Sequence, residues 1–206
     1  MNLRLPLALL LLASCSKPQD EAIPTAPSAS ASASPLPLPS AAPTASAAPA
    51  KLPDLKSFPN TADGAKALVT EFMKPNVDAA ALTLLLRPKP ADYKAVFDAP
   101  TAAKIDAMYS PEWDRGSFVV AARPGQTEVK MSSATVADFK ANNAKAKEFP
   151  GAYSKITPNL VGASTIYRFR FVEPGQTQGN TYDGLIFVNG HWVLIPKPWR
   201  GLDDHR

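Results

Sequence analysis

From residue 58 onward the apolar positions repeat first with a helical period and then with a strand period. Ala65, Leu68, Val69, Phe72 and Met73 fall at i, i+3, i+4, i+7 and i+8, which predicts an amphipathic helix from near Thr61 to Pro75. Val77, Ala80, Ala81, Leu84 and Leu85 repeat the spacing after Asn76, read as an N-cap, and end before Pro88. Further helical turns are expected from Ala91 to Asp98, with Pro90 at the first helical position, and from Thr101 to Tyr109, stopped by Pro111. After Gly116 the period changes. Ser117 to Ala122 and Glu128 to Ser133 read as strands joined by the turn Pro124-Gly125-Gln126-Thr127, and Thr165 to Glu173 as a strand followed by the same tetrapeptide at Pro174 to Thr177. Thr135-Val136-Ala137-Asp138 reads as a capping sequence for a helix running toward Ala146.

Asn189-Gly190, between Leu185-Ile186-Phe187-Val188 and His191-Trp192-Val193-Leu194-Ile195, carries the strongest local signal. An Asn-Gly pair supplies the two positive φ angles of a type I′ hairpin. Phe187 is then opposite Trp192, Ile186 opposite Val193 and Leu185 opposite Leu194, so both faces are apolar and both need cover. Short helices packed on a curved antiparallel sheet are an α+β arrangement, expected over residues 57–206.

Composition divides the chain unevenly, because every aromatic residue and every glycine lies after residue 57. Residues 16–50 are dominated by Ala, Pro and Ser, too little apolar surface to offset the entropy of ordering. Residues 15–56 are therefore read as a disordered tether. Its prolines favour polyproline II, at ~3.1 Å per residue, giving a reach on the order of 100 Å. The formal charge of +4 is spread without a basic block, which argues against a nucleic-acid partner. With one cysteine, Cys15, neither an internal disulfide nor a cysteine-clustered metal site is possible. No metal site and no cofactor are expected.

Residues 1–14 place Arg4 before the apolar stretch Leu5 to Ala13, a signal segment too short to span a bilayer as a helix. Leu12-Ala13-Ser14-Cys15 resembles the lipobox of bacterial lipoproteins. That resemblance implies cleavage before Cys15 and attachment of a diacylglyceryl group and further acyl chains to it, enough for stable anchoring. Ser16, where inner-membrane lipoproteins often carry Asp, implies the outer membrane in a cell that has two. The order of helices followed by a sheet ending in Gly190-His191-Trp192 is similar in outline to the cone-shaped folds of the nuclear transport factor 2 and polyketide-cyclase-like group.

Candidate chemistry is sparse. Arg168 and Arg170 alternate with Tyr167, Phe169 and Phe171 and could grip a carboxylate or phosphate. Trp192, Trp199 and Arg200 add aromatic and basic groups near the C-terminus, suited to a cell-wall glycan or an envelope protein. Glu112-Trp113-Asp114 places two carboxylates in an expected loop, and Asp203-Asp204-His205 is a charged tail. No nucleophile elbow or phosphate-binding glycine loop is present. The expected function is a lipid-anchored envelope protein whose domain binds or scaffolds without catalysis. The alternative is a small cone-fold enzyme or small-ligand binder using His191, Asp106, Asp114 or Tyr182.

Overall fold

The computed structural model describes residues 51–203. The signal segment, Cys15, nearly all of the tether and the tail that carries Asp204 and His205 lie outside the described residues.

The packed chain begins upstream of the boundary expected at residue 57: Leu52 and Leu55 lie against the core, with a 3-10 turn at Leu55–Ser57. Helix α1 (Ala62–Thr70) starts where Thr61 Oγ1 accepts the Gly64 N–H at 3.0 Å and buries Ala65, Leu68 and Val69. A 3-10 turn continues it to Phe72, so this stripe forms as its spacing predicts.

Helix α2 (Ala79–Leu85) differs from expectation in cap and in face. Asn76 is left-handed (φ 59°), and Asp78 caps instead, accepting the Ala81 N–H at 2.9 Å. Leu82, Thr83 and Leu86 are buried, while Leu84 and Leu85 are 51% and 43% exposed. Two sets in this segment share the helical spacing. The set with Thr83 wins because its hydroxyl donates to Ala79 O and accepts the Val120 N–H, both inside the fold.

Helix α3 (Pro90–Val96) opens on proline as expected. Helix α4 (Ala99–Asp114) is capped by Asp98 and runs through Pro111 instead of ending at Tyr109. Proline costs a helix one bond and strains the preceding turn. Here Tyr109 and Trp113, one turn apart, are both buried, and Trp113 meets Phe118 edge-on at 4.4 Å. That burial outweighs the strain, so Glu112-Trp113-Asp114 is helical and not a loop.

Strands β1 (Glu128–Thr135), β2 (Thr165–Val172), β3 (Gly179–Val188) and β4 (His191–Leu194) form one antiparallel sheet in the order β1-β2-β3-β4. Phe187 pairs with Trp192, Ile186 with Val193 and Leu185 with Leu194, as the Asn-Gly turn requires. Asn189 and Gly190 take φ of 49° and 80°. The expected strand at 117–122 does not form. Its backbone is held by side chains: Tyr182 Oη accepts the Ala121 N–H and donates to Ala121 O, and Asn180 Nδ2 donates to the same carbonyl. A run of apolar residues thus reached the core without joining the ladder.

Thr135 and Asp138 form the expected capping box, yet α5 (Val136–Lys140) lasts only five residues. Asp138 accepts from Thr135 and Asn143, which holds its carboxyl down at about 2. Helix α6 (Tyr153–Ile156) follows; its Tyr153 ring packs with Phe139, Phe149 and Trp199. The sheet is covered on both faces. Phe58 O receives the Trp192 indole N–H on one, and Tyr153 reaches Asp183 on the other.

Candidate functional site

Strand β3 is interrupted at one residue. Tyr167 pairs with Leu185 and Arg168 with Asp183, leaving Gly184 unpaired as a bulge. Gly184 has φ of 89°, and its carbonyl accepts the Ile195 N–H at 2.8 Å. A bulge re-aims the residue next to it. Asp183 accordingly turns under α6 beside Arg168, and only 6% of it is exposed.

Both hydrogen bonds to this carboxyl reach Oδ1: Tyr153 Oη donates at 3.0 Å and the Lys197 N–H at 3.1 Å. Among the described residues Oδ2 has no bonded partner. Asp183 lines an open cavity of about 210 Å³ with Tyr109 and Glu112 from α4, Tyr182 from β3, and Lys197 and Arg200 from the C-terminal turn. Phe118 and Val119 add an apolar side.

Burial pushes the Asp183 carboxyl above its ordinary value, against the opposing pull of the Lys197 amide, the Tyr153 hydroxyl and the nearby Lys197 and Arg168 cations. Tyr153 is raised well above its own, by burial and then by Asp183. Burial also takes Tyr109 up to about 12, although Arg200 beside it pulls the other way. The Tyr109 hydroxyl donates to Pro196 O, next to Lys197, which is held in a left-handed conformation (φ 43°). A left-handed non-glycine residue beside a buried acid in a cavity makes this region the candidate site.

The strain in this carboxyl gives a testable sign. A raised folded pKa means its stabilising contribution is complete below the unfolded value near 3.8 and is lost as pH rises through the folded value. At pH 7, above the unfolded value, burial of this carboxyl therefore costs stability relative to acid solution. Asp183→Asn keeps an oxygen for Tyr153 and Lys197 and is expected to raise the melting temperature at pH 7. The gain should shrink as pH falls toward 4. Thermal melts of both proteins across that range check it, and a variant less stable at pH 7 would contradict it.

Of the five expected binding residues, three surround this site. Arg168 donates from Nη1 to Glu148 O, with its buried Nε unpartnered. Trp199 lies edge-on to Tyr153 at 5.0 Å, and Arg200 lines the cavity. Arg170 donates to Thr181 Oγ1 and Thr177 O, and with Arg168 and Lys130 it lines a separate open cavity of about 280 Å³. Trp192 is fully buried and has no surface to offer a ligand. The two strand arginines thus share one face of the sheet, and each also fastens a neighbouring loop through a hydrogen bond to its backbone.

The residues of the catalytic alternative are scattered, and only Tyr182 reaches the cavity. His191 Nε2 lies 3.1 Å from Asp92 Oδ2, in a clamp where the buried Asp92 also accepts from Asn189 Nδ2 and the Lys89 N–H. Asp106 accepts from Ser110 Oγ, and Asp114 pairs with Arg87 at 2.8 Å. A larger groove of about 450 Å³ runs past Leu84, Trp113 and Val119. Its Arg87 and Arg115 are paired with Asp114 and Glu112, so it offers mostly apolar contact.

Asp183, Tyr153 and Tyr109 do not stand out as site residues in the sequence, whereas Lys197 belongs to the aromatic and basic segment around Trp199 and Arg200. The available signal is Asp183-Gly184 directly before the apolar run Leu185 to Val188, an acidic residue followed by glycine, which inside a strand often marks a bulge. Among the described residues no group of three or more His, Cys, Asp or Glu could hold a metal ion, and no helix is long and apolar enough to cross a membrane. No protein-family model matches the chain, and no curated protein or solved structure matches it significantly.

Proposed function

We propose that this chain is a lipid-anchored envelope protein whose α+β domain is a non-enzymatic binding module, with the Asp183 cavity as its ligand site. The anchoring half is supported by Leu12-Ala13-Ser14-Cys15 and by the Ala, Pro and Ser tract that follows. Acyl chains on Cys15 hold the protein to the membrane, the outer one where there are two. The tether of up to roughly 100 Å lets the domain work away from the lipid surface, within reach of cell-wall glycan, wall peptide or another envelope protein.

The observation that carries the binding half is Asp183: a buried carboxyl that lines an open cavity, with two bonds on one oxygen and, among the described residues, no partner on the other. Natural folds rarely leave such a group unless something meets it. Its neighbours are tyrosines, the cations Lys197 and Arg200, the carboxyl of Glu112, Thr181 and apolar walls, a mixed lining suited to holding a polar ligand.

Cys15→Ser tests the anchor. In bacteria that express the full chain, the unaltered protein is expected in the membrane fraction and in the detergent-rich phase on phase separation. Its N-terminal peptide should carry the mass of a diacylglyceryl group and acyl chains on Cys15. The variant should lose the modification and partition to the aqueous phase. Equal partitioning of the two would overturn the lipoprotein reading.

A further inference from the structure

We infer that the Asp183 cavity recognises a zwitterionic head group, an ammonium and a carboxylate carried on one small ligand of the amino-acid class. The inference rests on the cavity being a ligand site and adds what it holds. Three features lead to it.

Charge is segregated by element. The carboxyls come from β3 (Asp183) and α4 (Glu112), whereas both cations, Lys197 and Arg200, come from the C-terminal turn. Glu112 is already paired with Arg115, so a simple anion drawn by Lys197 and Arg200 would meet the Asp183 carboxyl, and a simple cation drawn by Asp183 would meet two cations. A ligand with both signs satisfies both sets, and carboxylate on arginine is the stronger, more directional half.

The buried acid needs a donor. Among the described residues Asp183 Oδ2 has no hydrogen-bond partner, and an ammonium supplies both the hydrogen bond and the counter-charge that burial withholds. The other charged or titratable groups facing this carboxyl are Tyr153 from α6, Arg168 from β2, Tyr109 and Glu112 from α4, and Lys197 and Arg200 from the turn. Tyr153 and Tyr109 stay protonated in neutral solution because burial raises both. Ammonium binding is then coupled to ionisation of Asp183, so affinity falls as the solution is made acidic.

Size limits the rest. About 210 Å³ lies below the 300 Å³ or so at which pockets for drug-sized ligands begin. Phe118, Val119 and Tyr182 leave an apolar side for a short aliphatic group. The shared chemistry has two sources at the envelope: a free amino acid, or the exposed amino-acid end of a cell-wall peptide.

Calorimetric titration of the detergent-solubilised full-length protein tests this, with alanine in both enantiomers, N-acetylalanine, alaninamide, glucosamine, glucuronate and a short wall-type peptide bearing a free zwitterionic end. One alanine enantiomer or the peptide is expected to bind. N-acetylalanine, which lacks the ammonium, and alaninamide, which lacks the carboxylate, should each bind at least about tenfold more weakly. Asp183→Asn should lose binding by a similar factor while melting no lower than the unaltered protein. Preference for alanine identifies a free amino acid, and preference for the peptide identifies the wall; either supports the inference. Equal binding of N-acetylalanine, or unchanged binding by Asp183→Asn, overturns it. Binding of glucosamine or glucuronate alone, abolished by Asp183→Asn, overturns the zwitterion and leaves the cavity as a ligand site. Saturation by none of these overturns the zwitterion as well, while the partitioning of Cys15→Ser still decides the anchor.

Discussion

Gly184→Ala is expected to destabilise the domain by about 3 kcal/mol or more, because two independent penalties fall on one added methyl group. Gly184 has φ of 89°, a region that side chains with a Cβ adopt only at a cost of about 1 to 3 kcal/mol. A Cβ there would also sit 1.9 Å from Ile195 O and 2.6 Å from its carbonyl carbon, both backbone atoms that cannot swing away. Relief requires β3 to part from the segment after β4 and breaks the Ile195 N–H bond to Gly184 O. The residue displaced with them is Asp183, so any ligand binding in its cavity should disappear with the stability. Urea denaturation of the purified variant checks the first effect. A midpoint within error of the unaltered protein would show that β3 can be regular here and that the bulge does not position Asp183.

Legibility followed how local each determinant is. The hairpin was readable because Asn189-Gly190 encodes its own backbone and fixes the register of the residues on either side. The α1 stripe was readable because only one set of apolar positions fits the helical period. In α2 two sets fit, and the choice between them depended on Thr83 meeting Val120, a partner 37 residues away that no local pattern contains. Pro111 misled for the same reason: its local cost is real, but Trp113 beyond it is buried against Phe118. The strand expected at 117–122 had the right composition, and its backbone partners turned out to be side chains of β3.

The cavity was the least legible part. It assembles α4, β3 and the C-terminal turn around a residue whose significance comes from burial, which a sequence does not display. Arg168, Trp199 and Arg200 were noticed as chemical types and do surround Tyr153 and Asp183, yet the acid at the centre was passed over. A carboxyl in a strand reads as a solvent-facing position until the bulge at Gly184 is known. Asp183 and Asp138 show the contrast in sign. Asp138, met by hydrogen bonds at a helix start, is held down at about 2, so its contribution is present above the ordinary carboxyl value and is lost as pH falls through about 2. Asp183 is pushed up and is most at ease in acid. The first pattern is that of a structural cap; the second, a buried acid in a cavity, is the pattern that marks a candidate site.

Trp192→Ala is expected to cost about 4 kcal/mol, within the 3–5 range for emptying a buried aromatic site. Trp192 is fully buried and packs edge-on against Tyr167 at 5.7 Å and Phe187 at 5.3 Å. The hairpin and β2 therefore lose a common partner when the ring is removed. The indole N–H also donates to Phe58 O at 2.9 Å, a bond spanning 134 residues that ties the start of the packed chain to β4. Against a typical total of about 5–15 kcal/mol, alanine here removes from roughly a quarter to most of the domain's stability. Trp192→Phe separates the two contributions, since it keeps most of the apolar volume and removes only the donor. It should cost about 1–2 kcal/mol, the penalty for leaving the Phe58 carbonyl unmet together with a small void. Deleting residues 51–58 in the unaltered background removes the carbonyl along with Leu52 and Leu55, and should cost more than Trp192→Phe. Denaturation of the three variants under one set of conditions ranks them. If the deletion is neutral, the segment before residue 59 belongs to the tether, and Trp192 acts through its ring contacts alone.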